Sequence, residues 1–416
     1  MRRSLGLFVT LVVIAAACGA RQDGVAAPQP AAPSAALRDV LFISRDDGTA
    51  VVGGKAGAVT ASLPRGAATP DWTIYWAVEP GERTTLRELD PVTGADKRTF
   101  AIDGRWALPT AYGAAPAGFS ADGRWLVLAG PQSKDGAAVK SSFAIIDTAN
   151  GALARTVRAT GDYTFDAISA DGRNLYVIEH LGTETVSRWP SGYRVRVAGE
   201  GSSTLSESLI VDIKIASPQM NGLYHSSVAR TGSAWNYGLY FHPTKGAFIH
   251  ALNTTQLYAQ CILDVPDGGS GVRPAWSMLL SPEGGHLYVV NGPAGIIADV
   301  GPESLQTNRK NVNLVPAIAV TERAPAHGAA ITSDGSRVYA IGERGILVIN
   351  TADLTLKARY LDTTPVRSLA LSPDGQRLYV LAEDGSLIRL EASTGRPVET
   401  LAPVRGATAL LRVQTR

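Results

Sequence analysis

The sequence predicts an all-β fold, a single β-propeller of four-stranded blades, and three observations carry that expectation. A unit of tight turn followed by strand recurs down the chain. Its copies are spaced at about the length of one blade. The first and last copies are incomplete in complementary ways, so the two chain ends can share a blade and close a ring.

The clearest copy is Ser372-Pro373-Asp374-Gly375, running directly into Leu378, Tyr379, Val380 and Leu381. Pro presets φ for the second position of a type I turn, Asp bonds its own backbone, and Gly accepts the positive φ that follows. The β-branched and aromatic run after it has no helical spacing and reads as a strand, as does Val366 to Leu371 ahead of it. The related turns are Ser120-Ala121-Asp122-Gly123, Ser169-Ala170-Asp171-Gly172, Ser281-Pro282-Glu283-Gly284 and Thr332-Ser333-Asp334-Gly335. Thr69-Pro70-Asp71-Trp72 and Arg230-Thr231-Gly232-Ser233 are degraded versions. Their third residues fall at 71, 122, 171, 232, 283, 334 and 374. The steps are 51, 49, 61, 51, 51 and 40 residues, close to a four-stranded repeat.

The outer half of the unit repeats as well. Asp384 to Leu390 and Val398 to Leu401 read as third and fourth strands, and so do Asp47 to Val52 and Val59 to Leu63. The N-terminal copy has no first strand, and Ala407 to Val413 is an orphan strand at the other end. Pairing them removes a long free edge. Seven turns plus the shared closing blade give eight blades. Seven is the alternative, if the N-terminal strands only cover an edge.

On these turns, over about residues 41–413, the chain resembles bacterial WD40-like and YVTN-type propeller proteins. The resemblance implies the architecture and says little about activity. Ser44-Arg45-Asp46-Asp47-Gly48-Thr49 has part of the pattern of a sialidase Asp box but continues with Ala50, and is read as a strand-connecting turn.

Met1-Arg2-Arg3-Ser4 is basic and an apolar run follows from Leu5 to Ala17. That run is too short for a bilayer core of roughly 30 Å, so residues 1–17 read as a signal peptide. Ala15-Ala16-Ala17-Cys18-Gly19 resembles the lipobox of bacterial lipoproteins, which implies a diacylated Cys18. Ordinary cleavage beside an incidental Cys18 is the alternative. Residues 18–38 are rich in Ala, Pro and Gly and read as a lipidated Cys with a flexible tether. The propeller then takes 39–416. Attachment to the bacterial cell membrane through Cys18, on the extracytoplasmic side, is the expected location.

Composition agrees with a turn-dense β fold. The chain has 45% hydrophobic residues, 43 Gly and 24 Pro. A formal net charge of +2 with no basic block gives no nucleic-acid footprint. With Cys18 assigned to the anchor, Cys261 stands alone in an apolar strand and reads as a small core residue. No disulfide framework is available.

The longest step, between Asp171 and Gly232, carries extra length in His180 to Gly192 and in Gly199 to Gly222, and Pro131 to Lys140 is a further polar loop. Loops on a rigid scaffold often carry function, so the sector 131–245 is the expected ligand region, with Trp189, Tyr193 and Met220 as candidates. The six His show no local zinc spacing, and no nucleophile elbow, phosphate loop or dinucleotide fingerprint occurs. No metal and no cofactor are expected. The aromatics Trp125, Tyr176, Tyr288, Tyr339 and Tyr379 recur at matching positions, which reads as packing between blades.

The leading functional reading is therefore a lipid-anchored, monomeric binding or scaffolding module for an unknown protein or small molecule. The rival is a lactonase-like propeller hydrolase. It would need a His, Arg and carboxylate set at the channel mouth, drawn from His180, Arg188, His225 and His242.

Overall fold

The computed structural model describes residues 39–415 except 54–56, 110–117, 137, 183–191, 243–245, 265–275, 303–305, 308–311 and 314–327. Cys18, the leader, the tether, Arg188 and Trp189 lie outside the described residues. Among the described residues the regular elements are strands, and they form eight sheets.

The sheets are the eight blades of a propeller. Blade 1 joins Asp39–Arg45, Gly48–Gly53 and Ala58–Leu63 to the C-terminal strand Ala407–Thr415, which pairs with Asp39–Arg45 as the first strand. Blades 2, 7 and 8 are plain four-stranded meanders, spanning Gly66–Asp103, Ala329–Tyr360 and Val366–Leu401. In blade 3 the described residues of the first-strand position are held by bridges of Ala107 to Ala129 and of Phe119 to Leu126, ahead of Trp125–Ala129, Ala138–Asp147 and Ala152–Thr160. Blade 4 has Tyr163–Ile168, Leu175–Leu181 and Gly192–Ala198, and its fourth position is filled irregularly by residues 206–210. Ser206 and Ile210 donate their amides to Val197 and Val195 there, at 2.8 and 3.1 Å. Blade 5, from Leu223–Ala229 to Tyr258–Asp264, gains Val211–Asp212 as an extra parallel edge. Blade 6 begins at Trp276–Leu280, and its fourth strand is split into Gln306–Thr307 and Val312–Asn313.

The ring is closed by packing. Among the described residues there are eight apolar cores, and each is shared by two neighbouring blades, the last by blades 8 and 1. This explains why the central strands read as unbroken apolar runs. Side chains alternate faces along a strand, and here both faces are covered. Leu378 and Val380 enter the core with blade 7, while Tyr379 and Leu381 enter the core with blade 1.

The recurring aromatics add a directional bond to that packing. The Tyr176 hydroxyl of blade 4 donates to the Thr254 carbonyl of blade 5 at 2.9 Å. Tyr339 of blade 7 reaches the Ala392 carbonyl of blade 8 at 2.8 Å, and the Trp125 indole of blade 3 reaches the Ala170 carbonyl of blade 4 at 3.1 Å. Each ring fills a core with its body and satisfies its polar tip on the next blade.

The repeated turns do local work. Ser372 Oγ donates to Asp374 Oδ1 at 2.5 Å and accepts the Arg377 amide at 3.0 Å, while Gly375 sits at φ +68°. In the blade 7 copy the Thr332 hydroxyl and the Ser336 amide hold the Asp334 carboxyl down at about 2. The degraded turn keeps its form with Trp72 at φ +59° in the glycine position. Its indole packs on Phe42 at 4.6 Å in the core shared by blades 1 and 2, which offsets the backbone strain.

A buried carboxylate locks the closing blade. Asp39 accepts the Tyr379 hydroxyl at 2.7 Å and the Thr415 hydroxyl at 2.9 Å, and pairs with Arg377 Nε at 2.9 Å. Those partners come from blade 8 and from the C-terminal strand, so one side chain ties both ends of the ring. Asp39→Ala leaves the Tyr379 and Thr415 hydroxyls without their acceptor, while Arg377 keeps Asp374 at 2.7 Å, and is expected to cost about 2–3 kcal/mol in urea unfolding. Tyr379→Phe, which removes a single bond, is expected to cost about 1 kcal/mol. Equal, negligible losses in both variants would show that this carboxylate does not hold the ring.

Candidate functional site

The Ser-Pro-Asp-Gly-like turns join first to second strands and therefore lie on one face of the ring. The second-to-third turns and the connectors between blades lie on the other. On that connector face blades 2, 3 and 4, with Leu223 of blade 5, line a cleft of about 700 Å³.

Two connectors of matching construction build it. Gly104-Arg105-Trp106 leads from blade 2 to blade 3, and Gly161-Asp162-Tyr163 leads from blade 3 to blade 4. The Thr84 hydroxyl donates to the Gly104 carbonyl at 2.8 Å and accepts the Trp106 amide at 2.8 Å. The Ser141 hydroxyl repeats this with the Gly161 carbonyl at 2.9 Å and the Tyr163 amide at 3.1 Å. Each clamp fixes a buried aromatic at the base of the cleft and holds the charged residue before it on the wall. Trp106 is fixed further by its indole N–H on the Asp103 carbonyl, 2.8 Å, and Tyr163 by Glu179, 3.5 Å. Gly130 permits the close approach of this wall, because a Cβ there would lie 2.3 Å from Ser142 Oγ and 3.2 Å from the Trp106 ring.

Phe143, Phe165, Leu108 and Pro109 complete an apolar lining. The polar groups are few. Asp162 accepts the Gln132 side-chain amide at 2.7 Å. His180 Nε2 lies 3.0 Å from the Thr164 hydroxyl, and its backbone amide donates to the Asp162 carbonyl. Burial pushes the His180 imidazole below its ordinary value, against the pull of Asp162, so it is held neutral near pH 7. Arg105 is exposed on the cleft wall and makes no hydrogen bond or ion pair with the described residues. An apolar cavity with a few fixed polar groups suits a small molecule.

Of the residues singled out from sequence, His180 lines this cleft. His225 is buried in the first strand of blade 5, with Nδ1 at 2.9 Å from Ser226 Oγ and its ring 5.0 Å from Phe241. His242 ends the second strand of that blade, paired with Gly246. His180, His225 and His242 all stand near the connector-face ends of their strands. Tyr193 is a fully buried strand residue, stacked on Tyr240 at 4.6 Å. Met220 exchanges backbone bonds with Tyr193 at 2.7 and 3.0 Å and packs at the edge of the same core. Among the described residues no three His, Cys, Asp or Glu come together as metal ligands.

Arg105, Trp106, Tyr163 and Phe165 were not marked by the repeat pattern. A signal existed: a Gly, a charged residue and an aromatic stand together at two successive blade boundaries, outside the turn repeat.

Next to the cleft, the core between blades 4 and 5 buries a polar set. Asp166 accepts from Asn236 at 3.4 Å; His250 has Nδ1 at 3.2 Å from the Tyr193 hydroxyl and Nε2 at 3.5 Å from Asp212. Burial pushes the Asp166 carboxyl up to about 6, opposed by the nearby His250.

No protein-family model matches the chain, and no curated protein matches it. Solved structures do. Apo AztD from Citrobacter koseri superposes with a TM-score of 0.52 at 10% identity, covering 91% of this chain and 97% of that one. A second structure of C. koseri AztD gives 0.50 at 12% identity with the same coverage. The periplasmic gluconolactonase PpgL of Pseudomonas aeruginosa gives 0.44 at 15% identity, covering 90% and 98%. At these identities the likeness to AztD is one of fold, the β-propeller.

The buried groups give two opposed pH slopes. Asp166 holds a proton in the folded state that the unfolded chain releases, so its stabilising contribution is full below pH 4 and fades as pH rises through about 6. His225, pushed down to about 4 by burial, contributes fully above pH 6.5 and loses that contribution as pH falls towards 4. Asp166→Asn is expected to raise stability at pH 7 by up to about 3 kcal/mol and to steepen the loss between pH 6 and 4. Urea unfolding across that range checks it; a variant profile parallel to wild type would contradict the assignment.

Proposed function

We propose that this chain is an extracytoplasmic β-propeller, tethered to a bacterial membrane through a lipidated Cys18, that binds a small molecule in the cleft of blades 2 to 4. In this reading residues 1–17 are the leader, 18–38 the lipidated Cys with its tether, and 39–416 the ring that holds the site. The protein is a binding module, and the rigid ring is the scaffold for the cleft.

The observation that carries the proposal is the cleft itself. Two clamped connectors aim Trp106 and Tyr163 at one apolar cavity, with Arg105, Asp162 and His180 on its walls. Preorganised walls lower the ordering cost of binding. The lipobox-like start supports the location, as does the composition of residues 18–38, too poor in apolar side chains to fold alone.

Two measurements test the two halves of this reading. In cell fractionation, Cys18→Ala is expected to move the protein from the membrane fraction to the soluble one. Retention of that variant on membranes would rule out the lipid anchor. In a thermal-shift screen of small metabolites on protein starting after Cys18, a ligand at 100 times its dissociation constant is expected to add about 2.7 kcal/mol. Gln132→Trp, a bulky change at the exposed rim, is expected to abolish the shift. A shift that survives it would place the ligand elsewhere.

A further inference from the structure

We propose that the ligand of this cleft is an anion, a small carboxylate with an apolar ring body, and that Arg105 is the residue that selects it. The proposal deepens the reading of the cleft as a small-molecule site and rests on it.

The argument begins with the two equivalent connector positions. Arg105 and Asp162 each stand between a clamped glycine and a clamped aromatic, so the ring presents one cation and one carboxylate on the cleft walls in matching settings. Their surroundings differ. Asp162 already receives the Gln132 amide at 2.7 Å. Arg105 has no hydrogen bond or ion pair among the described residues.

Several arginines of these blades are engaged, whereas Arg158 and Arg194 are, like Arg105, without a side-chain partner among the described residues. Arg87 is held by Asp96 and Glu79, Arg98 by Glu88, Arg124 by Asp147 and Arg196 by Glu179. Arg105 is left as a planar fork on a backbone fixed on both sides, beside Trp106. A guanidinium in that state matches a carboxylate through two parallel bonds.

The rest of the lining says what the carboxylate is attached to. Trp106, Tyr163, Phe143 and Phe165 offer flat apolar surface, which favours a ring over a polar chain. The neighbouring depression shares Pro131, Ser141 and Ser142 with the cleft and adds Lys140 and Arg158. These two cations stand beside a cleft whose own wall carries Arg105 and the Asp162 carboxylate.

Isothermal titration with matched pairs tests the inference: benzoate against benzamide, cyclohexanecarboxylate against its amide, naphthoate against naphthamide. Wild-type protein starting after Cys18 is expected to bind at least one acid about 10- to 100-fold more tightly than its amide. Arg105→Gln is expected to erase that preference, chiefly through lost acid affinity, while leaving the unfolding midpoint unchanged. Arg105→Lys, which keeps the charge and loses the fork, is expected to retain part of it. Acid and amide binding equally, both lost in Gln132→Trp, would overturn the anion inference and leave the cleft as a neutral-ligand site. An acid preference untouched by Arg105→Gln would overturn the role of Arg105. No binding by any member of the panel would overturn this inference and the reading of the cleft together.

Discussion

One buried carboxylate joins the beginning of this ring to its end. Asp39 opens the first strand, yet its oxygens are spent on Tyr379 and Arg377 of the last blade and on Thr415 of the closing strand. Burying such a charge is costly unless it is fully partnered, and the partners arrive only when both chain ends are home. Every blade depends on that closure, because among the described residues each apolar core is shared by two blades. A blade alone would expose both faces of its sheet, as repeat units generally do.

A closed ring divides its two faces by construction. The turn face repeats one local solution, a hydroxyl and a carboxylate bonding each other and the turn backbone, and its Asp side chains are occupied by that task. The connector face has no such constraint. There Thr84 and Ser141 reach up from third strands to pin glycine connectors, and the residues beyond each glycine become wall and floor of the cleft. The chemistry of the site is thus set by which residues follow the clamped glycine. Arginine with tryptophan stands in one connector and aspartate with tyrosine in the next.

The parts of this structure that are legible in the sequence are those held by short-range bonds. A Ser-x-Asp-Gly turn closes within six residues, so its copies announce the blades, and the missing first strand announces the closure. The extra length between Asp171 and Gly232 reads as loop, but residues 206–210 bond to 195–197 and finish blade 4, while Val211–Asp212 pairs with Tyr258–Ala259 in blade 5. Neither pairing closes within a tight turn, and neither carries a local mark. Tyr193 likewise reads as a loop aromatic beside a long insertion, and its place in the core is decided by Tyr240 and His250, contributed by the next blade. The cleft was hidden for the same reason. Its lining comes from four blades, and the clamping hydroxyls stand 20 residues before the glycines they hold.

A crystallographic soak of the ring with a library of small ring fragments tests the central claim most directly, because it samples every surface of the molecule with many chemistries at once. The expected result is density clustered between Trp106, Tyr163 and Phe165, with acidic fragments directed at Arg105. Fragments gathered instead on the turn face or in the core of blades 4 and 5, with the cleft empty, would contradict the account.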